Sequence, residues 1–291
     1  MQLQLVRHLW GVSESFETAF PKFVADGFSA LEAPICLMDE PTRDRFECER
    51  ARHGLGLIVQ DFTCLWERNR TVDEHLASMR VRITEALKFR PLLINLHSGS
   101  DAWRLPDMIR FYREAQRIAA DCPVPVAHET HRGRAFFSPW TTRDVLEAVP
   151  GLELTVDFSH WVCVAERCLD DQLDIITLAA AHARHIHARV GYAEGPQVPD
   201  PRAPEYANDV AAHERWWDLC WDAMQRRGLA SASLTPEFGP PGYMHTLPFT
   251  NQPVADLWDI CTWQAHRQRD RFLARGGISG AGGSSCPGRP S

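Results

Sequence analysis

Acidic residues and a histidine recur near the ends of short apolar runs from residue 129 onward. They are Glu129, Asp157, His187 and Glu237. Three carboxylates and one imidazole brought together would repel one another unless a cation lay between them. Oxygen donors with one nitrogen suit Mn²⁺, Mg²⁺ or Co²⁺ better than a thiolate-preferring ion, and Zn²⁺ is also compatible. We therefore predict one divalent metal ion bound by these four residues, with Mn²⁺ as the first expectation.

The elements that would position these residues alternate regularly along the chain. Short runs rich in Val, Ile and Leu are separated by longer segments with helical periodicity, which is typical of repeated βα units and a parallel sheet. The predicted strands lie near 3–8, 28–33, 55–61, 91–97, 124–129, 152–157, 184–189 and 233–238. The predicted helices lie near 15–26, 42–53, 71–89, 106–121, 141–149, 170–182, 206–227 and 252–273.

This order of elements predicts an α/β protein with one (βα)8 TIM barrel. The length of 291 residues is compatible with that fold, which needs about 250. We assign the barrel to residues 1–274. Residues 275–291 are rich in Gly and Ser and poor in apolar side chains, so we predict a disordered tail there.

Alternation along the predicted seventh strand separates polar from apolar side chains. Successive side chains of a strand point to opposite faces, so the odd-numbered residues share one face and the even-numbered residues the other. The even-numbered set is apolar and suits the helix layer. The odd-numbered set therefore points into the barrel: His185, His187 and Arg189. By the same parity three further pairs point inward: Asn95 with His97, Glu129 with His131, and Thr235 with Glu237.

Each of these residues alone has a purely structural explanation. A single inward glutamate could form a salt bridge with Arg132, Arg134 or Arg189, and a single strand histidine such as His185 is typical of a hydrogen-bonded core residue. Recurrence on consecutive strands favours a shared site instead. Such a site would lie at the carboxyl end of the barrel, where enzymes of this fold place their chemistry.

Charge and composition argue against several other classes of protein. The formal charge is −7, from 31 basic and 38 acidic residues that are interspersed, so no nucleic-acid partner is expected. No run reaches ~18 apolar residues, and no apolar segment follows Met1, so no membrane span or export signal is expected. Nine cysteines without a CxxC pair are typical of reduced thiols. We predict a cytoplasmic protein with a small-molecule partner, and a homo-oligomer is left open.

One connection differs from the others. Residues 190–206 follow the seventh predicted strand as a Gly- and Pro-rich stretch without helical periodicity. Irregular loops of this length in a compact domain are usually functional. We predict that this loop forms a wall or lid over the site, and a surface excursion is the alternative.

At these residues the chain resembles the xylose isomerase-like TIM-barrel superfamily. The resemblance covers about residues 3–273 and concerns its sugar epimerase and isomerase branch, which includes tagatose and psicose 3-epimerases, hydroxypyruvate isomerase and inosose dehydratase. Members bind a divalent metal through Glu, Asp, His and Glu from strands five to eight, which carries over onto Glu129, Asp157, His187 and Glu237. The element Asp157-Phe-Ser-His160 also matches and implies that His160 contacts substrate.

The resemblance implies a sugar or polyol isomerase or epimerase that removes a proton next to a carbonyl, through an enediolate that the metal stabilises. Glu129 and Glu237 would be the catalytic pair, one removing the proton and the other returning it. A dehydratase or lyase acting on a keto-sugar or keto-glycoside would share the first half of this mechanism and is the alternative. The candidate substrate contacts are Asn95, His97, His131, His160 and Arg189.

The chain departs from this branch at two places. The sugar epimerases carry an arginine several residues after the strand-seven histidine, whereas Arg189 follows His187 by two, and the 190–206 loop is unlike theirs. Apurinic-site endonucleases of the same superfamily need additional histidines for three zinc ions, but the third strand ends Gln60-Asp61-Phe62 without one. A non-catalytic sugar-binding barrel is the remaining alternative, and the complete ligand set argues against it.

Several tryptophans follow predicted strands and would therefore lie near the carboxyl end of the barrel. Aromatic faces stack well on the C–H side of sugars, but tryptophan is also ordinary filler between barrel and helices. Both interpretations stay open for each of these residues: Trp10, Trp66, Trp103, Trp140 and Trp161.

Overall fold

The computed structural model describes residues 1–276, in which eight parallel strands form a closed barrel. The strands are β1 (Gln2–His8), β2 (Ala30–Ala33), β3 (Gly56–Phe62), β4 (Leu93–His97), β5 (Val126–Glu129), β6 (Leu154–Val156), β7 (Ala183–His187) and β8 (Ser231–Thr235). The α-helices are α1 (Phe16–Ala25), α2 (Glu40–Arg52), α3 (Val72–Leu87), α4 (Leu105–Ala120), α5 (Pro139–Ala148), α6 (Phe158–Ala165), α7 (Leu173–His182), α8 (Ala207–Arg226) and α9 (Leu257–Gly276). The predicted α/β fold, a (βα)8 TIM barrel, is confirmed.

The strands pair in chain order, and β8 closes the barrel by pairing with β1. The barrel interior is layered. A small apolar cluster takes one residue from each of the first five strands: Val6, Ala30, Ile58, Leu93 and Ala127. Because side chains two residues apart share a face, the residues that follow these in the interior are polar. They are His8, Glu32, Gln60, Asn95 and Glu129. Apolar packing thus fills one level of the barrel, and polar groups occupy the level nearer its carboxyl end.

Local sequence signals explain where several helices begin. Thr71 and Glu74 form a capping box at the start of α3, as their spacing predicts. Asp39 and Ser138 cap α2 and α5 by accepting a hydrogen bond from a backbone N–H three residues later. These caps set the helix starts and thereby the lengths of the preceding loops.

The structure contains one helix that the sequence pattern does not predict. Helix α6 follows β6 directly, and Asp157 is its N-cap rather than the last residue of a strand, since its side chain accepts a hydrogen bond from Ser159 N at 3.0 Å. Most of this short segment is buried and apolar, so it lacks the polar face that would reveal a helical period. The predicted strand ends at 189 and 238 are also too late. Arg189 and Glu237 lie two residues beyond β7 and β8.

The 190–206 connection packs closely against the chain that follows β8. The Gln197 side chain accepts a hydrogen bond from Gly239 N at 2.6 Å and donates one to Gly239 O at 3.2 Å. Val198 N donates to Val190 O at 2.9 Å, and the Val198 side chain is buried. Tyr192 Oη lies 3.3 Å from His245 Nε2. The loop therefore holds the segment after β8 in place.

Two further predictions concern the carboxyl-terminal segment and the possibility of a membrane span. Residues 275 and 276 belong to α9, and the rest of the predicted disordered tail, 277–291, lies outside the described residues. Within residues 1–276 no helix combines the length and the apolar character that crossing a membrane requires.

Candidate metal centre

The residues predicted as metal ligands converge at the carboxyl end of the barrel. One donor atom from each of Glu129, Asp157, His187 and Glu237 lies within 4.8 Å of the other three. His187 Nδ1 is 3.0 Å from Glu237 Oε2 and 3.7 Å from Glu129 Oε2. All four side chains are buried. Glu129 and His187 end their strands, Asp157 caps α6, and Glu237 follows β8.

The donor set fits a divalent cation. Glu129 Oε1 and His187 Nδ1 are buried and have no hydrogen-bond partner among the described residues. Buried polar atoms in proteins are nearly always hydrogen-bonded or bound to an ion, so these two unpartnered atoms need an explanation. Three carboxylates and one imidazole suit Mn²⁺ and Mg²⁺. The arrangement is therefore compatible with the metal ion that the sequence predicts.

Negative charge accumulates at this point of the barrel. Burial raises the pKa of Asp157 to about 6, although the Arg189 guanidinium beside it acts in the opposite direction. Burial also disfavours a charged His187, but the carboxylates of Glu237 and Glu32 outweigh it and raise the pKa of His187 well above its usual range. The site thus favours a positive charge among its carboxylates.

Arg189 is the positive group nearest to Asp157. Its guanidinium forms an ion pair with Asp157 Oδ2 and lies 3.5 Å from Glu237 Oε2. Its Nε donates to Ser159 Oγ at 3.1 Å, and one terminal nitrogen lies 2.7 Å from His160 Nε2. Because a guanidinium only donates, His160 Nε2 must accept this hydrogen bond. Arg189 therefore links Asp157 and Glu237 to the start of α6.

The two glutamates predicted as the catalytic pair are each held through one oxygen. Asn95 Nδ2 donates to Glu129 Oε2 at 2.8 Å, and His97 Nε2 lies 2.8 Å from the same oxygen. Gln60 Nε2 donates to Glu237 Oε1 at 3.0 Å. Glu129 Oε1 has no hydrogen-bond partner among the described residues, and Glu237 Oε2 lies 3.0 Å from His187 Nδ1 and 3.5 Å from the Arg189 guanidinium. In the sequence Gln60 marks only the end of a strand without histidine, and the structure adds it to the site.

Glu32, on β2, is a functional candidate that sequence analysis missed. It is buried, and both of its oxygens lie 3.0 Å from His187 Nε2. Thr235 Oγ1 donates to Glu32 Oε2 at 2.6 Å, and Asn95 Nδ2 donates to Oε1 at 3.0 Å. A histidine whose Nε2–H points at a carboxylate presents Nδ1 to a metal in a fixed orientation. The available signal was a single Glu in the apolar run Ser29-Ala-Leu-Glu-Ala33.

His185 lies below this pair and is fully hydrogen-bonded. Its Nδ1 lies 2.7 Å from Ser233 Oγ, and its Nε2 lies 3.0 Å from Thr235 Oγ1 and 3.2 Å from Glu32 Oε2. This matches the interpretation of His185 as a hydrogen-bonded core residue. It also completes the polar layer that supports His187.

A cavity of about 540 Å³ opens above the cluster. Its buried end, which we call the polar floor, is formed by Gln60, His97, His131, Arg189 and Glu237. Its outer part, which we call the apolar rim, is formed by Leu9, Trp10, Val12, Phe16, Pro34, Leu37, Met38, Phe62, Trp66 and Tyr243. Glu14, Arg68 and Arg134 also contribute to the lining.

Not every predicted contact reaches this cavity. His97, His131 and Arg189 line it, whereas Asn95 and His160 do not. Asn95 is occupied by Glu129 and Glu32, and His160 stands behind His131, with 4.0 Å between the ring centroids. Asn95 and His160 are therefore placed to orient other side chains rather than to touch a ligand.

The loop after β7 and most of the predicted tryptophans also lie elsewhere. No lining residue comes from 190–206, so the predicted wall over the site is wrong, and the loop instead supports the segment that carries Tyr243. Trp10 and Trp66 line the cavity. The other three tryptophans bond through their indole N–H away from it: Trp103 to Arg70 O, Trp140 to Gln172 Oε1 and Trp161 to Phe136 O.

No protein-family model matches the chain, and no curated protein matches it. A xylose isomerase-like TIM barrel protein from Mycobacterium smegmatis in complex with magnesium is similar in structure, with a TM-score of 0.59, 12% identity, and coverage of 93% of this chain and 97% of that one. A D-allulose 3-epimerase from Methylomonas sp. in complex with D-allulose is also similar, with a TM-score of 0.58, 10% identity, and coverage of 93% of this chain and 97% of that one. The probable 3-DHS dehydratase AsbF from Bacillus anthracis is similar with a TM-score of 0.56, 15% identity, and coverage of 92% of this chain and 99% of that one. At these identities the likeness concerns the fold. The chain has the fold of the xylose isomerase-like TIM barrels, as the resemblance predicted.

Proposed function

We propose that this chain is a divalent-metal-dependent isomerase or epimerase of a sugar or polyol, which moves a proton at a carbon next to a carbonyl. The main support is the convergence of four donor atoms within 4.8 Å of one another, beside an open cavity that one of the four residues, Glu237, lines. Solved structures that share the fold include D-allulose and L-ribulose 3-epimerases, which is consistent with this class of reaction.

The ion would be held by Glu129, Asp157, His187 and Glu237, with Mn²⁺ as the first candidate and Mg²⁺, Co²⁺ or Zn²⁺ as alternatives. When bound, such an ion would polarise the substrate carbonyl and favour negative charge on the neighbouring oxygen. Glu32 would hold His187 in the orientation that this requires, because it accepts the hydrogen bond from Nε2.

The proton would move between substrate carbon and carboxylate. Glu129 is held at Oε2 by Asn95 and His97, while its Oε1 has no partner within the described chain and can accept a proton. Glu237 is held at Oε1 by Gln60 and approaches from a different strand. One carboxylate would remove the proton and the other would return it, which is how two general bases invert a carbon centre.

The other floor residues would bind and orient the substrate. Arg189 is buried and positively charged, so it can donate hydrogen bonds to a substrate oxygen without loss of its charge. His97 and His131 face the cavity from neighbouring strands, with ring centroids 4.6 Å apart. Together these side chains supply polar contacts at the buried end only, where water is most easily excluded.

A dehydratase or lyase acting on a keto-sugar or keto-glycoside is the second candidate. The observation in its favour is the row of imidazoles formed by His97, His131 and His160, which ends at Arg189. Such a row could deliver a proton to a leaving group after the first proton has been removed. A probable dehydratase with the same fold is consistent with this alternative.

Metal analysis tests the proposed centre. Wild type is compared with His187→Ala and Glu237→Ala, and Glu153→Ala serves as the control because Glu153 precedes β6 at the opposite end of the barrel. We expect stoichiometric metal in wild type and control and loss of most of it in the two ligand variants. Stoichiometric metal in both ligand variants would contradict the proposal.

Incubation in heavy water tests the reaction. Ketoses and 3-keto glycosides are supplied to the metal-loaded protein, and the products are analysed for deuterium and stereochemistry. Deuterium at an altered stereocentre supports the epimerase, and loss of water or of the aglycone supports the lyase. If no sugar exchanges its proton, both enzymatic proposals fail and the non-catalytic barrel is favoured.

A further inference from the structure

The apolar rim would contact the part of a substrate that does not react. Its residues come from the loops after β1, β2 and β3, together with Tyr243 from the segment after β8. They continue the same cavity whose floor contains Glu237 and Arg189. A ligand bound at the floor would therefore extend outward along an apolar surface.

Three large side chains of the rim are unusually exposed. The exposed fraction is 66% for Trp66, 49% for Leu37 and 37% for Trp10. Apolar side chains that are exposed singly are common on protein surfaces, but a group of them around one concave opening marks a binding site. Covering this surface with an apolar group would release ordered water and stabilise the complex.

The aromatic part of the rim is already held in position by the protein. The Trp10 and Tyr243 rings meet edge to face with their centroids 4.9 Å apart, and those of Phe62 and Trp66 lie 5.7 Å apart. A Cβ built on Gly239 would overlap the Trp10 ring, so the absence of a side chain there leaves room for it. The rim is therefore preformed, and a ligand need not order it.

The chemistry of the rim favours an apolar group over additional sugar units. Stacking on carbohydrate needs aromatic faces together with polar groups that reach the hydroxyls. Four rim residues are aliphatic and offer neither: Leu9, Val12, Leu37 and Met38. The charged residues that also line the cavity are engaged by the protein itself, Glu14 by Lys22, Arg68 by Gly133 O and Arg134 by Thr63 O. The volume of about 540 Å³ also falls within the ~300–1,000 Å³ typical of pockets that hold drug-sized ligands.

We propose that the substrate is a sugar derivative that carries an aromatic aglycone, with the sugar at the polar floor and the aromatic ring against the apolar rim. This inference rests on the proposed function, because it assigns the sugar to the floor. It adds the substrate class. The aromatic ring would lie among Trp10, Trp66 and Leu37, and it would cover the side chains that are exposed without it.

The direct test compares two glycosides that share one sugar. Phenyl β-D-glucopyranoside and methyl β-D-glucopyranoside are titrated into the Mn²⁺-loaded full chain, and their dissociation constants are measured by calorimetry. We expect the phenyl glycoside to bind at least about tenfold more tightly, because burial of apolar area contributes ~25 cal/mol per Å². Equal affinities, or no measurable binding of the phenyl glycoside, would overturn the proposal.

Two rim variants test whether the preference for the phenyl glycoside arises at the rim. The ratio of the two affinities is measured in Trp66→Ala and Leu37→Ser, whose exposed side chains can be truncated without opening the core. Leu173→Ala is the matched control, because Leu173 is similarly exposed but does not line the cavity. We expect the ratio to fall about fivefold in the rim variants and to stay within about twofold of wild type in the control. An unchanged ratio in both rim variants would overturn the assignment.

The same preparations separate this proposal from the proposed function. If metal and deuterium exchange on ketoses are present while the two glycosides bind equally, only the aromatic-aglycone proposal fails. If the phenyl preference is present and metal and exchange are absent, the proposed function fails and the apolar binding site remains.

Analytical sedimentation tests whether a second copy of the chain occupies the rim instead of an aromatic group. A wild-type dimer that dissociates in Trp66→Ala, with no phenyl preference, would show that a second copy covers the rim and would overturn the proposal.

Discussion

The polar floor and the apolar rim share one cavity but differ in how their side chains are held. Floor residues are mostly buried, and Glu237, for example, has its carboxylate fixed by Gln60. Rim residues such as Trp66 and Leu37 expose about half or more of their surface and rely on packing alone. The floor therefore tolerates little change, because a lost partner leaves a buried polar group unpaired. The rim can change its shape at small cost, so reactivity and recognition are separable.

The largest effect is expected at the proposed metal centre, which shares Glu237 with the floor, from Glu129→Gln. The amide cannot accept a proton, so deuterium exchange on substrate should fall by about 10²–10⁴-fold. The ratio of phenyl to methyl glycoside affinity should stay close to that of wild type, because the rim is unaltered. Exchange is followed by NMR in heavy water. A rate close to that of wild type would show that Glu129 is not the base and would weaken the division between floor and rim.

A smaller effect is expected from Glu32→Gln, in the polar level of the barrel that also contains Glu129. Replacement of the carboxylate that faces His187 Nε2 weakens the orientation and basicity of the imidazole, so Mn²⁺ affinity should fall by about 10–100-fold. Calorimetric titration with Mn²⁺ measures the change. Glu49→Gln is the control, since Glu49 is also buried but lies on α2, where it pairs with Arg52. Equal Mn²⁺ affinity in both variants would show that the floor does not depend on this layer.

Gly239→Ala tests the point where floor and rim meet. The added methyl group overlaps the Trp10 ring, so ring or backbone must shift, and the free energy of unfolding should fall by about 1–3 kcal/mol. Urea denaturation measures this value. In a Trp10→Ala background the methyl group has space, so the same substitution should then cost little. A cost that persists without the Trp10 ring would place the strain elsewhere, for example at the Gln197 contact.

The smallest effect concerns acid stability behind the floor. The His213 Nδ1 lies 2.9 Å from Asp209 O, and its Nε2 accepts a hydrogen bond from Gly191 N at the base of the 190–206 loop. Burial lowers the pKa of His213 to about 4, whereas an unfolded histidine titrates near 6.5. Between these values the unfolded chain binds a proton that the folded chain does not bind. Stability is therefore fully present above about pH 6.5 and is lost as the pH falls towards 4.

The measurement compares wild type with His213→Gln by urea denaturation at pH 7, 6 and 5. This residue should contribute a decrease of about 1.2 kcal/mol in the free energy of unfolding from pH 6 to pH 5, and the variant should lack that contribution. Identical pH slopes in the two proteins would show that the loop does not need a neutral imidazole at this position.

The order of the strands was predictable, and so were the side chains that point inward at the ends of β5, β7 and β8. Residues two apart in a strand face the same side, so the residue number indicates which way a side chain points. Alternation along the strand correctly predicts that His187 and Arg189 point inward, although Arg189 lies two residues beyond the end of β7. Helix α6 was not predictable, since a buried helix without a polar face has no period to detect. Glu32 was missed because a lone glutamate on a distant strand carries no local sign of its partner, and that partner, His187, is brought near only by closure of the barrel.

The apolar rim, apart from Tyr243, comes from one continuous stretch of chain, residues 9–66, whereas the proposed metal ligands all follow residue 128. A genetic exchange confined to the first quarter of the sequence could therefore replace the recognition surface and inherit the reaction unchanged. Glu32 and Gln60 lie inside that stretch and reach His187 and Glu237 across the barrel. An exchange between related genes would succeed only where the incoming segment carries both of these residues, which makes them the positions to preserve when the rim is recombined or redesigned.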